Sequence, residues 1–242
     1  MANNLELATK YLALIDEKFS QDSYTSFLVD SNMDSVKFDK SANKFKVLNI
    51  ETGGLGNYSR NNGYSSNAGI TTEWETVEKD AERSARMMVD RFDNSESGVD
   101  LISESIKTLL SDNLIIETDT ARIAKIFTEA LPENRIGETI TDGEDVVKSI
   151  SKGLTKLRNN RVSGELYLLI TANNSSLIAN LDSYKKTLLN NFSKIVVCPA
   201  DIMKSAIELE SDGYSIPSDA LDINFIILHK ESVIMKSEIG IK

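Results

Sequence analysis

The chain contains very few of the residues that form disulfides, catalytic dyads and rigid loops. Its 242 residues include one cysteine, one histidine, one tryptophan and three prolines. One cysteine cannot form an intramolecular disulfide, so we expect a protein of a reducing compartment. The thiol of Cys198 lies in an apolar run, and His229 ends another. We therefore interpret both as structural groups rather than as a nucleophile and its base.

Basic charge and long apolar runs are also scarce. Lys and Arg number 27 against 37 Asp and Glu, which gives a formal net charge of −10. Because binding to phosphate backbones depends on Lys and Arg displacing counterions, this balance disfavours a nucleic-acid-binding protein. No run approaches the roughly 18 apolar residues of a membrane span, and the N-terminus lacks signal-peptide features. We expect a cytosolic protein without membrane contact.

The first third of the chain predicts a helix followed by a long hairpin. Apolar residues at helical spacing predict an amphipathic helix near 4–19, whereas 20–39 has no sustained period and is predicted to be an arm or loop. Alternating segments at 44–51 and 70–78 predict two strands around a Gly-, Asn- and Ser-rich loop. A loop this long is usually functional or disordered. The hairpin has too little apolar surface to bury a core of its own, which favours contact with another molecule.

The rest of the chain predicts a long helix and then a mixed sheet. A period of 3.6 runs through 95–130, with Ser95 as the expected N-cap, a break near 117–119 and Pro132 beyond the end. A second helix is expected over 142–157, capped by Asp142. Strands are predicted over 165–170, 194–199, 222–229 and 232–236, with helices over 173–189 and just after Ala200. The predicted fold class is α+β.

Several patterns resemble chemical sites, and each has a simpler explanation. Glu73 and Glu75 share one strand face and could bind a cation or transfer protons, but we interpret them as a solvated or salt-bridged face. The glycine-rich loop lacks the lysine and the following helix of a phosphate-binding loop. The acidic residues after the second strand lack the spacing of a calcium loop. We predict no catalytic residue, no cofactor and no metal.

Four arginines lie in and just after the hairpin: Arg60, Arg83, Arg86 and Arg91. A guanidinium can bind a carboxylate with two parallel hydrogen bonds across a subunit boundary. Ordinary surface charge is the alternative for each of them, because exposed ion pairs contribute only about 0–1 kcal/mol. Together with Tyr58, Tyr64, Trp74 and Glu75, these arginines are the predicted inter-subunit contact residues.

Several of these segments resemble the major capsid proteins of tailed phages and prophages with the Hong Kong 97-type fold. One branch of that family has a Gly-Leu-Gly-Asp/Asn-Tyr-x-Arg-Asn-x-Gly loop, matched by residues 54–63, and a Thr-x-x-Trp-Glu-Thr strand, matched by 71–76. Its charged run before a long helix is similar to residues 90–96. Its late strand is similar to 222–234, with Ser232 in place of alanine.

The resemblance implies a division of the chain. Residues 1–45 would be the N-terminal arm, and 46–94 the extended loop, or E-loop, that reaches over an adjacent subunit. Residues 95–134 would form the spine helix and peripheral domain, 135–221 the axial domain, and 222–242 the returning strands of the peripheral domain.

The implied function is architectural. Copies of the chain would form the hexamers and pentamers of an icosahedral shell that encloses double-stranded DNA without sequence-specific binding. The shell would be assembled in the bacterial cytoplasm with a separate scaffolding protein, a portal and decoration proteins. After the late strand the proteins that this chain resembles usually continue for longer, and its predicted spine has only Glu117-Thr118-Asp119 of their usual Pro-Glu-x-Asp. The alternatives are an encapsulin-like compartment shell and, in another class, a small α/β ligand-binding protein or enzyme.

Overall fold

The computed structural model describes residues 2–29, 36–39, 44–54, 58–61, 63–64, 69–78, 82–84, 100–182 and 187–235. The protein is mixed α+β, as predicted. The chain divides into two units. We call Met1–Ser31 together with Val89–Lys242 the body, and Asn32–Met88 the hairpin unit.

A long helical rod crosses the body, built from α2 (Leu101–Leu109), a π-helical turn (Leu110–Leu114) and α3 (Ile115–Glu129). Its N-cap is Asp100, whose carboxylate accepts a hydrogen bond from the Ser103 N–H at 3.3 Å. The predicted cap, Ser95, lies outside the described residues. At 1.5 Å per residue the rod is roughly 43 Å long.

The break predicted near 117–119 is wrong, because these residues lie inside α3. The rod departs from regular α-helix at the π-helical turn over Leu110–Leu114, which directly precedes α3. The buried side chains of Ile106, Leu110 and Ile115 belong to one apolar cluster. Ile106 and Leu110 are four residues apart, whereas Leu110 and Ile115 are five apart. A π-helical turn has a five-residue hydrogen-bond spacing, so it places Ile115 on the same face of the rod as Ile106 and Leu110.

The N-terminal helix packs on this rod. The predicted helix near 4–19 is confirmed as α1 (Ala2–Asp22). Ile15 and Phe19 of α1 are buried in the same cluster as Leu110. Beyond α1, a 3₁₀ turn (Ser26–Leu28) places Leu28 in a second cluster, where its side chain is fully buried.

The body has a three-stranded sheet with the order β10-β6-β7. Its strands are β6 (Leu166–Thr171), β7 (Lys194–Cys198) and β10 (Phe225–His229). β6 is buried along its whole length, pairs in parallel with β7 and pairs in antiparallel with β10. Helices α4 (Gly143–Asn159) and α5 (Ala172–Ala179) share an apolar cluster with Leu166, Leu168 and Ile170.

The opposite face of the sheet, with Tyr167 and Leu169, packs with α3 and Leu28. The predicted cap of α4 is confirmed, since the Asp142 carboxylate accepts from the Asp145 N–H at 2.9 Å.

Three predictions in the C-terminal half are wrong. The helix predicted over 173–189 ends at Ala179 and is capped by Thr171. The helix after Ala200 is a turn, followed by a small hairpin, β8 (Glu208–Glu210) and β9 (Gly213–Ser215). In place of the strand over 232–236 there is a 3₁₀ turn (Lys230–Ser232) and a single bridge from Met235 to Val29. In each case short-range periodicity was too weak to determine the backbone without its tertiary neighbours.

The hairpin unit contains a second three-stranded sheet, with the order β1-β2-β5. Both predicted strands are confirmed, as β2 (Lys44–Thr52) and β5 (Ile70–Glu78), paired in antiparallel with Lys44 opposite Glu78. The sequence prediction missed β1 (Val36–Asp39), which pairs in antiparallel with the first part of β2. Within the loop, β3 (Tyr58–Ser59) pairs with β4 (Gly63–Tyr64).

Two groupings in the structure concern the predicted division of the chain. Residues up to 31 of the predicted 1–45 arm belong to the body. The late strand predicted to begin a separate region at residue 222 pairs with β6 in the body sheet. The division into arm, spine, axial and peripheral regions stays a prediction.

Candidate functional site

The β2–β5 hairpin has two chemically different faces, which its register defines. Directly opposed residues of an antiparallel pair share a face, and successive residues alternate between faces. Leu48 is opposite Trp74, and Ile50 is opposite Thr72, so these four residues share one face. Val47 is opposite Glu75 and therefore belongs to the other face.

The first face, which we call the apolar-basic face, changes character along its length. Near β1 it has three lysines and Glu78, which forms an ion pair with Lys44 at 2.7 Å, and toward the loop it has four apolar side chains. In register order these residues are Lys44 and Glu78, then Lys37 and Lys46, then Leu48 and Trp74, then Ile50, and then Ile70. The Lys37 ammonium lies 4.0 Å from the centre of the Trp74 ring, a cation–π contact that joins the two parts.

The apolar part of this face is open to solvent. Ile50 is 54% exposed and Ile70 is 70% exposed. Within the hairpin unit, no residue whose burial the structure describes is buried. A ribbon of this kind is marginally stable in water unless its apolar face finds a covering surface.

The second face is acidic toward the loop. Glu51, Glu73 and Glu75 lie on it and all three are exposed. The prediction that Glu73 and Glu75 share a strand face is therefore confirmed. The described residues contain no group of three or more His, Cys, Asp or Glu side chains placed to hold one metal ion.

The tip of the hairpin contains three of the predicted contact residues. Tyr58 and Tyr64 are direct partners in the β3–β4 ladder, and Arg60 lies in the turn between them. The Tyr58 side chain is 67% exposed and Arg60 is also exposed. The side chain of Tyr64 lies outside the described part of the structure.

The other predicted contact residues are more dispersed. Trp74 is half-buried, next to exposed Glu75. Arg83 is exposed and follows β5 outside any strand. Arg86 and Arg91 lie outside the described residues. The structure thus brings together Tyr58, Arg60 and Tyr64 at the tip, with Trp74 and Glu75 on opposite faces of β5.

Charge is distributed unequally between the two units. The sequence from 32 to 88 has eight basic and eight acidic side chains, so its formal charge is zero. The full chain has 27 basic and 37 acidic side chains, which leaves 19 and 29 for the body. The body therefore carries the whole charge of −10.

A buried carboxylate that the sequence prediction missed attaches the N-terminal segment to α3. Asp119 is fully buried and accepts hydrogen bonds from Ser23 Oγ and the Tyr24 N–H, both at 2.7 Å. It also accepts from Thr25 Oγ1 at 2.5 Å and from the Thr25 N–H at 3.3 Å. Arg122 donates to Thr25 Oγ1 at 2.9 Å, and burial lowers the pKa of Arg122 although nearby Asp119 favours its charged form.

A sequence signal for this anchor exists. Asp119 lies four residues after Ile115 and four before Ile123, both of which are buried. An acidic residue in the middle of an apolar stripe at helical spacing indicates a buried, hydrogen-bonded carboxylate.

The thiol and the imidazole do not form a catalytic pair. Cys198 is paired with Thr171 at the last residue of β6, whereas His229 is paired with Leu166 at its first. Thr171 and Leu166 are five residues apart, so Cys198 and His229 are separated by about 16 Å along the direction of β6. Burial, together with the smaller effect of the negative charge of Asp119, raises the pKa of Cys198 to about 12, so the reactive thiolate is disfavoured.

The polar residues that a small-molecule site would need are also far apart. Asn173 and Asn174 follow the Thr171 end of β6, opposite His229. Asn174 donates to Asn224 Oδ1 at 3.0 Å, which is a structural contact between α5 and the segment before β10.

Among the described helices, none combines the length and the apolarity that crossing a bilayer requires. No family model, no curated protein and no solved structure is significantly similar to this chain.

Proposed function

We propose that this chain is a shell-forming major capsid protein with the Hong Kong 97-type fold, which encloses the double-stranded DNA of a tailed phage or prophage. The observation that carries the proposal is the hairpin unit. It has nine-residue strands and exposed Ile50, Ile70 and Tyr58, but none of its residues with described burial is buried. Such a unit is suited to pack on another subunit.

The energetics support self-assembly through this unit. Covering an exposed isoleucine fully gains about 1.5–3 kcal/mol. The gain from one hairpin is modest after the cost of association is subtracted. In a closed symmetric shell every copy contributes the same contact, so many modest contacts add up.

The charge distribution is consistent with a container for DNA. A strongly basic body would bind the phosphate backbone and hinder its movement during packaging, whereas a body of charge −10 does not attract it. The neutral hairpin unit can approach the acidic body of a sister copy without net repulsion. Scaffolding, portal and decoration partners belong to the same proposal.

The two rivals have less support. An encapsulin-like compartment would assemble through the same hairpin contact as a capsid. It would differ from a capsid in what it encloses, which would be a cargo protein in place of DNA. A small α/β ligand-binding protein or enzyme would need convergent polar groups at one end of the body sheet. Asn173 and Asn174 lie at the end opposite His229, which disfavours it.

The direct test is to express the full chain alone and with a candidate scaffolding protein, then to examine the products by sedimentation velocity and electron microscopy. We expect closed particles. A variant without residues 52–69 should keep the far-UV circular dichroism of the body but remain a small species. The control is Ile136→Ser, which removes an exposed body side chain and should leave shells intact. Normal shells from the deletion variant would refute the role of the hairpin, and a stable monomer under every condition would refute the shell.

A further inference from the structure

The second face of the β2–β5 hairpin changes character along its length in the opposite direction to the apolar-basic face. It is apolar near β1 and acidic toward the loop. In register order its residues are Phe45 and Val77, then Val36, Val47 and Glu75, then Asn49 and Glu73, and then Glu51 and Thr71. The valines are half-buried, whereas the three glutamates are exposed and none of them forms an ion pair with a described residue.

The apolar-basic face has basic side chains that are also without an acidic partner. Neither Lys37 nor Lys46 forms an ion pair with a described residue. Lys44 differs, because it pairs with Glu78 and is opposite Asp39 in the register. The hairpin therefore has two unpaired lysines on one face and three unpaired glutamates on the other.

The two faces match each other when one hairpin lies antiparallel on a second one. Opposed pairs on each face recur every two residues along the strands, so several pairs can stay in step. With Lys37 and Lys46 over Glu73, the apolar parts of the two faces also coincide. The facing pairs are then Leu48 and Trp74 over Val47 and Glu75, and Ile50 and Thr72 over Phe45 and Val77.

A parallel arrangement does not give this match. It would place the lysines over Val47 and Val77, and Glu73 over the leucine and isoleucine of the other copy. Charged groups would then lose water without gaining a partner, which is costly. The order of residues on the two faces thus favours the antiparallel arrangement.

We propose that the apolar-basic face of one copy packs antiparallel on the second face of the hairpin unit of another copy. Facing sheets lie about 10 Å apart, so their side chains interdigitate. Covering Ile50, which is 54% exposed in the single chain, provides attraction, and the ion pairs set the direction and register of the contact. The contact is heterologous, because each copy contributes a different face.

The inference rests on the proposed function in taking the hairpin unit as the assembly surface. It deepens that proposal by naming the surface of the sister copy that receives the hairpin. A second copy is the occupant because it supplies apolar and acidic groups at matching intervals. The hairpin unit also has a formal charge of zero, so two such units approach without net repulsion.

The first test identifies the faces that meet. Ile50→Cys and Val77→Cys are made in separate full chains, mixed and treated with a short bismaleimide; the native Cys198 is buried and should not react. We expect cross-linked dimers from the mixture and few from either variant alone. Ile50→Cys mixed with Ile136→Cys, at an exposed body position, is the control. Efficient linking of Ile50→Cys to itself would overturn the proposal, because two apolar-basic faces would then meet.

The second test reverses charges and follows assembly by light scattering. Lys46→Glu and Glu73→Lys should each raise the protein concentration needed for assembly roughly tenfold, because each places like charges opposite one another. Both changes in one chain restore opposite charges and should restore assembly. Lys46→Glu with Glu208→Lys has the same net charge but places the new lysine on β8 of the body, so it should stay impaired.

The two proposals fail in different ways. Circular dichroism verifies that each variant is folded. Shells that are insensitive to both single reversals, or equal rescue by Glu208→Lys, would overturn the hairpin contact and leave the shell proposal standing. If the unaltered chain forms no particles, the shell proposal fails, and the cross-linking result decides the hairpin contact.

Discussion

The body and the hairpin unit of this chain use similar apolar residues in opposite ways. The body buries its isoleucines and leucines in three clusters, and its central strand β6 has no exposed residue. The hairpin unit has strands of nine residues, longer than any described strand of the body, and displays Ile50 and Ile70 to solvent. The body has a core and carries the whole net charge, whereas the hairpin unit is neutral and none of its residues with described burial is buried. A long hairpin of this kind is stabilised mainly by what it contacts, so its stability and its function should separate experimentally.

The largest effect should come from the body core. Leu168→Ala removes a fully buried side chain from β6 and leaves a cavity between the sheet and α4. We expect a loss of about 2–5 kcal/mol in the free energy of unfolding. Urea unfolding followed by far-UV circular dichroism measures it, with Leu48→Ala on the hairpin as the comparison. A similar loss in both variants would contradict the contrast between the units.

The anchor of the N-terminal segment should produce the next largest effect. Asp119→Asn keeps the size of the side chain but replaces one of the two acceptor oxygens by a donor, so Ser23, Tyr24 and Thr25 cannot all remain satisfied. We expect a loss of about 1–3 kcal/mol. Asp112→Asn, an exposed position on the same rod, is the control and should be nearly neutral. Hydrogen exchange should show faster exchange of α1 amides in Asp119→Asn alone.

Within the hairpin unit, the contact between Lys37 and Trp74 should have a smaller, local effect. Lys37→Met removes a cation–π contact of about 0.5–1 kcal/mol. Trp74 is the single tryptophan, so its fluorescence reports on the hairpin alone. We expect the fluorescence transition to shift to lower urea while the circular dichroism transition of the body stays in place. Lys46→Met, on the same face, is the control, and coincident shifts of both transitions would show that the units unfold together.

The smallest effect on stability should accompany the largest effect on assembly. Ile50→Ser combined with Ile70→Ser removes two exposed side chains and should change the free energy of unfolding by less than about 0.5 kcal/mol. Under the shell proposal the same variant should form no closed particles in electron microscopy. Shells from this variant would show that another surface carries the assembly contact.

Local patterns predicted the elements whose periodicity is long and clean. The confirmed elements are the helix near 4–19, the capped helix after Asp142 and strands β2 and β5. Each of these segments repeats its helical or strand period several times, which makes the period recognisable in the sequence. The alternation Val36-Lys37-Phe38-Asp39 is too short to be distinguished from a loop, so β1 was missed. The β8–β9 hairpin was missed for the same reason.

The candidate site was predictable in outline. The spacing of Glu73 and Glu75 on one face, and the lack of core-forming residues between the strands, followed from the sequence. The pairing of Tyr58 with Tyr64, the open stripe of Ile50 and Ile70 and the contact of Lys37 with Trp74 did not, because each depends on the register between strands.

The sequence by itself determined the α+β class, the acidic charge and the long hairpin, since these follow from composition and from periods of 2 and 3.6 residues. The tertiary structure decided the rest. It placed Asp119 against Ser23 and Thr25 from about 95 positions away in the chain. It also put Cys198 and His229 at opposite ends of β6 and left the β7 edge unpaired among the described strands. Contacts between distant segments depend on packing and on strand register, which no local period encodes.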